Sequence, residues 1–181
     1  SMIKLSQQVD KEEFNKSLKK IKDELKPGKA EGFTNVILVG ITCDPPELYD
    51  LFEEIKLNVV GDSLVDGTRY LQGVVPKNGA PIESLTERHF TRGFFSPIHD
   101  DVYKNFEQTK NLYKTSGAEA IVYIHIEFCE SQEYDLPDLK GMIKKEGIPM
   151  HVLHTEYQTL SLSHVRTRLQ AFFESLKGGS L

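Results

Sequence analysis

The stretch NVILVGITCDPPELYDLFEEI (residues 35–55) decides the fold. It opens on NVILVGI (35–41), which is apolar from Val36 onward. A strand with one wet face alternates apolar and polar side chains. An unbroken run therefore reads as a strand covered on both faces, as in parallel sheets. The spacing then turns helical, with Leu48, Leu51, Phe52 and Ile55 on one face. Asp44 is the expected N-cap, Pro45 the first helical residue and Glu47 the far member of a capping box. LNVVGD (57–62) reads as the next strand. Strand, helix and strand in direct succession make a βαβ unit.

The same alternation returns downstream. Val102, Phe106, Thr109 and Tyr113 share a helix face, and Gly117 is placed to end it. AIVYIHIEF (120–128) is the third buried strand. Leu136, Leu139 and Ile143 mark a helix with Pro137 near its start and Gly147 at its end. IPMHVLHT (148–155) is the fourth strand. Val165, Leu169, Phe172 and Leu176 mark a last helix, closed by Gly178 and Gly179. Between the two halves, SLVDGTRY (63–70) reads as a turn or short helix, PIESLTERHF (81–90) as a weakly amphipathic helix and GFFSPIHDD (93–101) as irregular.

The expected fold is α/β: a three-layer αβα domain with a mainly four-stranded parallel sheet, flavodoxin-like or Rossmann-like. Right-handed crossovers leave few arrangements, and order 2-1-3-4 is the expected one. Ahead of the sheet, Phe14, Leu18, Ile21 and Leu25 form a helical stripe with Asp10 as N-cap, and KPGKAEGFT (26–34) reads as a linker. Residues 1–34 are thus expected to be a helix and linker, and 35–181 the α/β domain. Ser1 before Met2 reads as a remnant of expression, so the natural protein is expected to be longer.

Composition narrows the function. At 39% hydrophobic and 27% charged residues the chain is an ordinary globular sequence. A net charge of −5 argues against a nucleic-acid partner. The lysines of the first thirty residues alternate with Asp and Glu, as on a solvated helix face. No apolar run is long enough to cross a membrane and no signal peptide is visible. Two cysteines do not make a disulfide framework, so the cytoplasm is the expected compartment.

Cys43 follows the first strand and Cys129 the third. In order 2-1-3-4 these strands are neighbours at the topological switch point, where open α/β sheets bind ligands. Each cysteine precedes a helix, whose N-terminal N–H groups favour a thiolate. Glu127, Glu130 and Glu133 near Cys129, and Asp44 beside Cys43, act the other way. On spacing alone, a small buried structural thiol is the favoured reading of either. Two thiolates do not complete a zinc or iron–sulfur site. His125, His151, His154 and His164 are further donors, but His125 and His151 sit inside apolar strands and read as packed side chains. There is no CxxC, HExxH, GxGxxG, Walker or GxSxG motif. Asp62 reads as a cap of the turn after its strand. Arg69 reads as a phosphate or carboxylate binder, or as one side of a salt bridge.

Taken together, CDPPELYDLFEE (43–54), NVVGDSLVDGTRY (58–70), YIHIEFCESQEYDLPDLK (123–140) with GIPMHVLHTEY (147–157), and RTRLQAFFE (166–174) resemble the 2-hydroxyacyl-CoA dehydratase and benzoyl-CoA reductase subunits, of the 2-hydroxyglutaryl-CoA dehydratase D-component type. The segments keep the family's order. The most specific is Phe128–Cys129 followed by Glu133–Tyr134–Asp135 and Pro137, which relatives write much like FCDPHEYDYP. The resemblance implies the C-terminal domain of a longer two-domain iron–sulfur subunit. It implies a four-iron–four-sulfur cluster held by three cysteines, two from the N-terminal half and the third at Cys129. Cys43 receives no such role. Arg69 and Tyr70 become contacts to the CoA moiety or the partner domain. The chain departs from the family in three respects: Glu130–Ser131–Gln132 stand where relatives have Asp-Pro-His, Ser63 stands for a second aspartate after Asp62, and the other two cysteine ligands are absent from this chain.

The activity so implied is radical chemistry on a CoA thioester. One electron on the thioester carbonyl of a 2-hydroxyacyl-CoA gives a ketyl radical anion that expels the hydroxyl and acidifies the β-proton. In the reductase branch the electron enters the aromatic ring of benzoyl-CoA. The implied partners are a homologous second subunit and an ATP-hydrolysing iron–sulfur activator. This chain alone is expected to be inactive. A non-catalytic α/β binding or assembly module that keeps the fold without the cluster is the competing reading. A flavodoxin-like or response-regulator-like domain comes third, and no phosphate loop or strand-end acidic cluster supports it.

Overall fold

The computed structural model describes residues 6, 8–25, 31–94, 100–156 and 162–178. The chain divides into two compact units, Ser1–Gly32 and Phe33–Leu181. In the first, helix α1 spans Lys11–Glu24. Asp10 caps it as expected, accepting the N–H groups of Glu12 at 2.9 Å and Glu13 at 3.1 Å.

The second unit runs β1 (Thr34–Gly40), α2 (Glu47–Glu54), β2 (Leu57–Leu64), α3 (Thr68–Leu71), α4 (Pro81–Thr91), α5 (Val102–Ser116), β3 (Ala120–Ile126), α6 (Glu130–Lys145), β4 (Met150–Thr155) and α7 (Ser163–Lys177). The four strands form one sheet in order β2-β1-β3-β4 with every pair parallel, as the crossovers led us to expect. Alternate side chains of each strand go to opposite faces. On one face Val36, Leu38, Val122 and Ile124 pack with Leu48 and Phe52 of α2 and with Val165, Leu169 and Phe173 of α7. On the other, Ile37, Val39, Ile121 and Tyr123 pack with Phe106 of α5 and with Leu139 and Ile143 of α6. Truncating any one of these core side chains to alanine costs about 2–5 kcal/mol.

Local expectations fail at three places, each for a stated reason. Helix α2 begins at Glu47, not Pro45, and Pro46 takes the N-cap position without a side-chain cap. A proline disfavours helical geometry in the residue before it, so Pro46 keeps Pro45 out of the helix. The first turn closes instead through Leu48 N–H to Pro45 O at 3.0 Å and Tyr49 N–H to Pro46 O at 3.1 Å. Strand β3 stops at Ile126, not Phe128, because Phe128 turns into the left-handed region at φ 67°. Helix α6 starts at Glu130, so Pro137 lies in its interior rather than near its start. Burial of Leu139 and Ile143 beyond Pro137 carries the helix past the lost hydrogen bond. The SLVDGTRY segment resolves into the end of β2 and the short helix α3. Asp101 caps α5 and Gly117 ends it at φ 72°. Residues 26–30 of the expected linker, 95–99 of the irregular stretch and Gly179 lie outside the described residues. Among the described residues no helix is long and apolar enough to cross a membrane.

Candidate functional site

The C-terminal ends of β1 and β3 lie side by side, with Gly40 paired to Ile124. The loops leaving these two ends carry Cys43 and Cys129, so both cysteines belong to one edge of the sheet. Both thiols are free and half-buried. Their settings differ.

Cys43 is three residues past β1, and the Asp44–Pro45–Pro46 segment separates it from α2. Its side chain packs against the core formed with α2 and α7. Burial pushes its thiol up to about 12, against a hydrogen bond from Tyr49 that favours the thiolate and in concert with the nearby Asp66 and Asp44 carboxylates. Cys43 is therefore a protonated, apolar-packed thiol at neutral pH, a poor metal ligand.

Cys129 is itself the N-cap residue of α6. Its N–H donates to Ile126 O at 3.1 Å, and its carbonyl accepts from the N–H groups of Gln132 and Glu133, both at 3.0 Å. Its Sγ lies 3.4 Å from Ser131 Oγ. Behind the turn, Gln132 is fully buried. Gln132 Oε1 accepts the Ile126 N–H at 3.0 Å, and its Nε2 donates to Ile124 O at 3.1 Å and to Tyr123 Oη at 3.4 Å. Burial raises the Tyr123 phenol to about 12, opposed by the Gln132 hydrogen bond and the positive charge of Arg69. Thus Gln132, with Tyr123 behind it, supports the turn that presents Cys129. Neither residue stood out in the sequence beyond the departure at 130–132. A polar residue at a fully buried strand position, Tyr123, was the available signal.

Arg69 is 2% exposed. Its Nε donates to Ser63 Oγ at 2.9 Å, its Nη2 to Asn105 Oδ1 at 3.4 Å, and its guanidinium carbon lies 4.5 Å from the Phe94 ring centroid. Burial lowers it to about 10, which leaves it charged at neutral pH. Its side chain is turned into the fold, and Ser63, which stands for a family aspartate, is one of its acceptors. Tyr70 is half-exposed, and its carbonyl accepts from Arg88 at 2.9 Å. Asp62 caps the turn after β2, its Oδ1 accepting from Thr68 N–H at 2.8 Å and Leu64 N–H at 3.2 Å.

Beside the Cys129 turn, His125, His154, Glu127, Phe128, Glu133, Leu136 and Pro137 line a cavity of about 360 Å³. The His125 and His154 rings meet edge to face at 5.0 Å. Burial, and then His154, hold His125 below its usual range. His151 packs on Phe172 at 5.0 Å. Among the described residues no three His, Cys, Asp or Glu side chains converge as a metal site.

The family model for the 2-hydroxyglutaryl-CoA dehydratase D-component matches residues 1–176. The chain belongs to this family. It is 28% identical over 97% of its length to the (R)-phenyllactyl-CoA dehydratase beta subunit of Clostridium sporogenes, covering 47% of that protein. It is 26% identical over 97% of its length to the lactoyl-CoA dehydratase subunit beta of Anaerotignum propionicum, covering 48% of that protein. It is 27% identical over 92% of its length to the (R)-2-hydroxyglutaryl-CoA dehydratase subunit beta of Acidaminococcus fermentans, covering 45% of that protein. The chain spans about half the length of these relatives of the D-component family.

Proposed function

We propose that this chain is the C-terminal domain of a 2-hydroxyacyl-CoA dehydratase subunit, with Cys129 as one thiolate ligand of a four-iron–four-sulfur cluster. The observation that carries this reading is Cys129 as the N-cap of α6 at the sheet's switch-point edge, in a chain matched by the D-component family over residues 1–176. Relatives named as beta subunits of 2-hydroxyacyl-CoA dehydratases support the dehydratase branch over the reductase branch.

Cys129 stands at the N-terminal, positive pole of α6, at the point where the chain leaves the sheet edge. The half-buried setting limits water around it, and hydrogen bonds near the sulfur tune a bound cluster's potential. When bound, the cluster supplies one electron to the thioester carbonyl. Tyr70, half-exposed beside the buried Arg69, is the outward residue of that pair suited to touch the CoA moiety or the partner domain. Arg69 orders the end of β2 from within. The remaining cysteine ligands, the homologous second subunit and the ATP-hydrolysing activator lie outside this chain, which alone is inactive. The setting is the cytoplasm of an anaerobe.

The test is anaerobic production of the full-length subunit with its partner, followed by iron analysis and visible absorption. Cys129→Ala is expected to lose most of the iron and the cluster absorbance, while Cys43→Ala retains both. If Cys129→Ala kept iron and absorbance unchanged, the ligand assignment would be wrong. If the unaltered subunit folded but never took up iron, the non-catalytic module would be the better reading.

A further inference from the structure

We infer that Gln132 is the positioning residue for Cys129, an inference that rests on the reading of Cys129 as a cluster ligand. Phe128, immediately before the cysteine, holds φ at 67°. A non-glycine residue seldom takes that conformation and keeps it only where its surroundings enforce it. Gln132 is the enforcing group. It is the third residue of α6, so its side chain reaches back across the turn to the strand that the turn leaves. One end of its amide takes the Ile126 N–H at 3.0 Å, and the other gives a hydrogen to Ile124 O at 3.1 Å. Its own backbone N–H binds the Cys129 carbonyl at 3.0 Å, while the Cys129 N–H binds Ile126 O at 3.1 Å. Backbone hydrogen bonds thus hold Cys129 on both sides, and the fully buried Gln132 side chain ties that turn to the end of β3. The amide is suited to this task because it carries donor and acceptor together on one planar group. A hydrophobic residue of equal size would fill the space and leave both strand groups to the turn's own drift.

The test uses the full-length subunit with its partner, prepared anaerobically, and compares four variants. Gln132→Met keeps the volume and removes the hydrogen bonds. Gln132→Asn keeps the amide one methylene short, as a milder variant should Gln132→Met fold poorly. Leu139→Ala, seven residues further along the same helix and in the core, serves as a destabilised control that leaves the Gln132 hydrogen bonds in place. Cys129→Ser tests the underlying reading. The readouts are iron lost to a chelator over time, and the electron paramagnetic resonance spectrum and midpoint potential of the reduced cluster. Iron is expected to leave Gln132→Met about tenfold faster than the unaltered protein, with a changed spectrum, as for other groups that orient a metal ligand. Gln132→Asn is expected to move the same way by less, and Leu139→Ala to keep spectrum and potential. Should Cys129→Ser lose its cluster while both Gln132 variants match Leu139→Ala, the positioning role is overturned and the ligand role stands. Should Cys129→Ser keep an unchanged cluster, both fall.

Discussion

Gly40 and Ile124 approach so closely that a β-carbon on Gly40 would lie 2.5 Å from the Ile124 carbonyl oxygen. Gly40 also holds φ at 150°. The clash is with backbone, which cannot rotate away as a side-chain tip can. This contact joins the ends of β1 and β3 where the two cysteine loops depart.

Gly40→Ala is therefore expected to destabilise the domain by about 2–4 kcal/mol, through overpacking and backbone strain together. Urea denaturation of the chain measures this directly. A loss below about 0.5 kcal/mol, the size of an ordinary surface change, would show that the strand ends can part freely.

Cys43 should resist alkylation. With its thiol pushed up to about 12, roughly one part in ten thousand is thiolate at pH 8. In a Cys129→Ser background, labelling by iodoacetamide followed by mass spectrometry is expected to be slow and to accelerate steadily up to pH 11. The sign for stability follows from linkage. The folded thiol binds its proton more tightly than the unfolded one, whose ordinary value is 9.0, so its contribution is full below pH 9 and is lost as the pH climbs towards 12. Rapid labelling at pH 7 in the folded protein would contradict the buried setting.

Arg69 should behave as a core residue. Arg69→Ala removes donors to Ser63 and Asn105 and empties the space beneath Phe94, at a cost of about 3 kcal/mol or more. For a domain of this size that lowers the melting temperature by about 6–12 °C. Arg69→Lys is expected to recover little, since a point charge on a flexible stem cannot reproduce the planar fork. A melting temperature unchanged by Arg69→Ala would mean that the side chain contributes nothing inside the fold.

His125 and His151 should make the domain acid-sensitive. Burial lowers both imidazoles below the ordinary 6.5, so the unfolded chain takes up protons that the folded chain refuses. Their contribution is complete above pH 6.5 and is lost as the pH falls below it. Neither ring nitrogen of His125 has a hydrogen-bond partner among the described residues, so His125→Leu should cost little at pH 7.5. The same variant is expected to show a flatter fall in stability between pH 6.5 and 5, by urea denaturation at each pH. An unchanged acid profile would assign the sensitivity elsewhere.

The layers and strand order of this domain were legible along the chain. Apolar runs at 35–41 and 120–128 announce strands covered on both faces, and helical stripes such as Val165 and Leu169 announce what covers them. Those are local periodicities. The handedness of crossovers then leaves few ways to connect them, and β2-β1-β3-β4 is the one adopted. The resemblance of short segments, Cys129 and its neighbours above all, was likewise a property of the linear text.

Tertiary structure decided what separates the two cysteines. Both follow a buried strand and precede a helix in the sequence, yet the proline pair delays α2 and leaves Cys43 packed against the core, while Cys129 is itself the N-cap residue of α6. It also decided that Arg69 turns inward and that Gln132 closes the turn behind Cys129. Periodicity records which face a residue belongs to, because that depends on its own position in a repeat. A hydrogen-bond partner depends on which distant backbone groups the fold leaves open, and those are set only when strand, turn and helix meet.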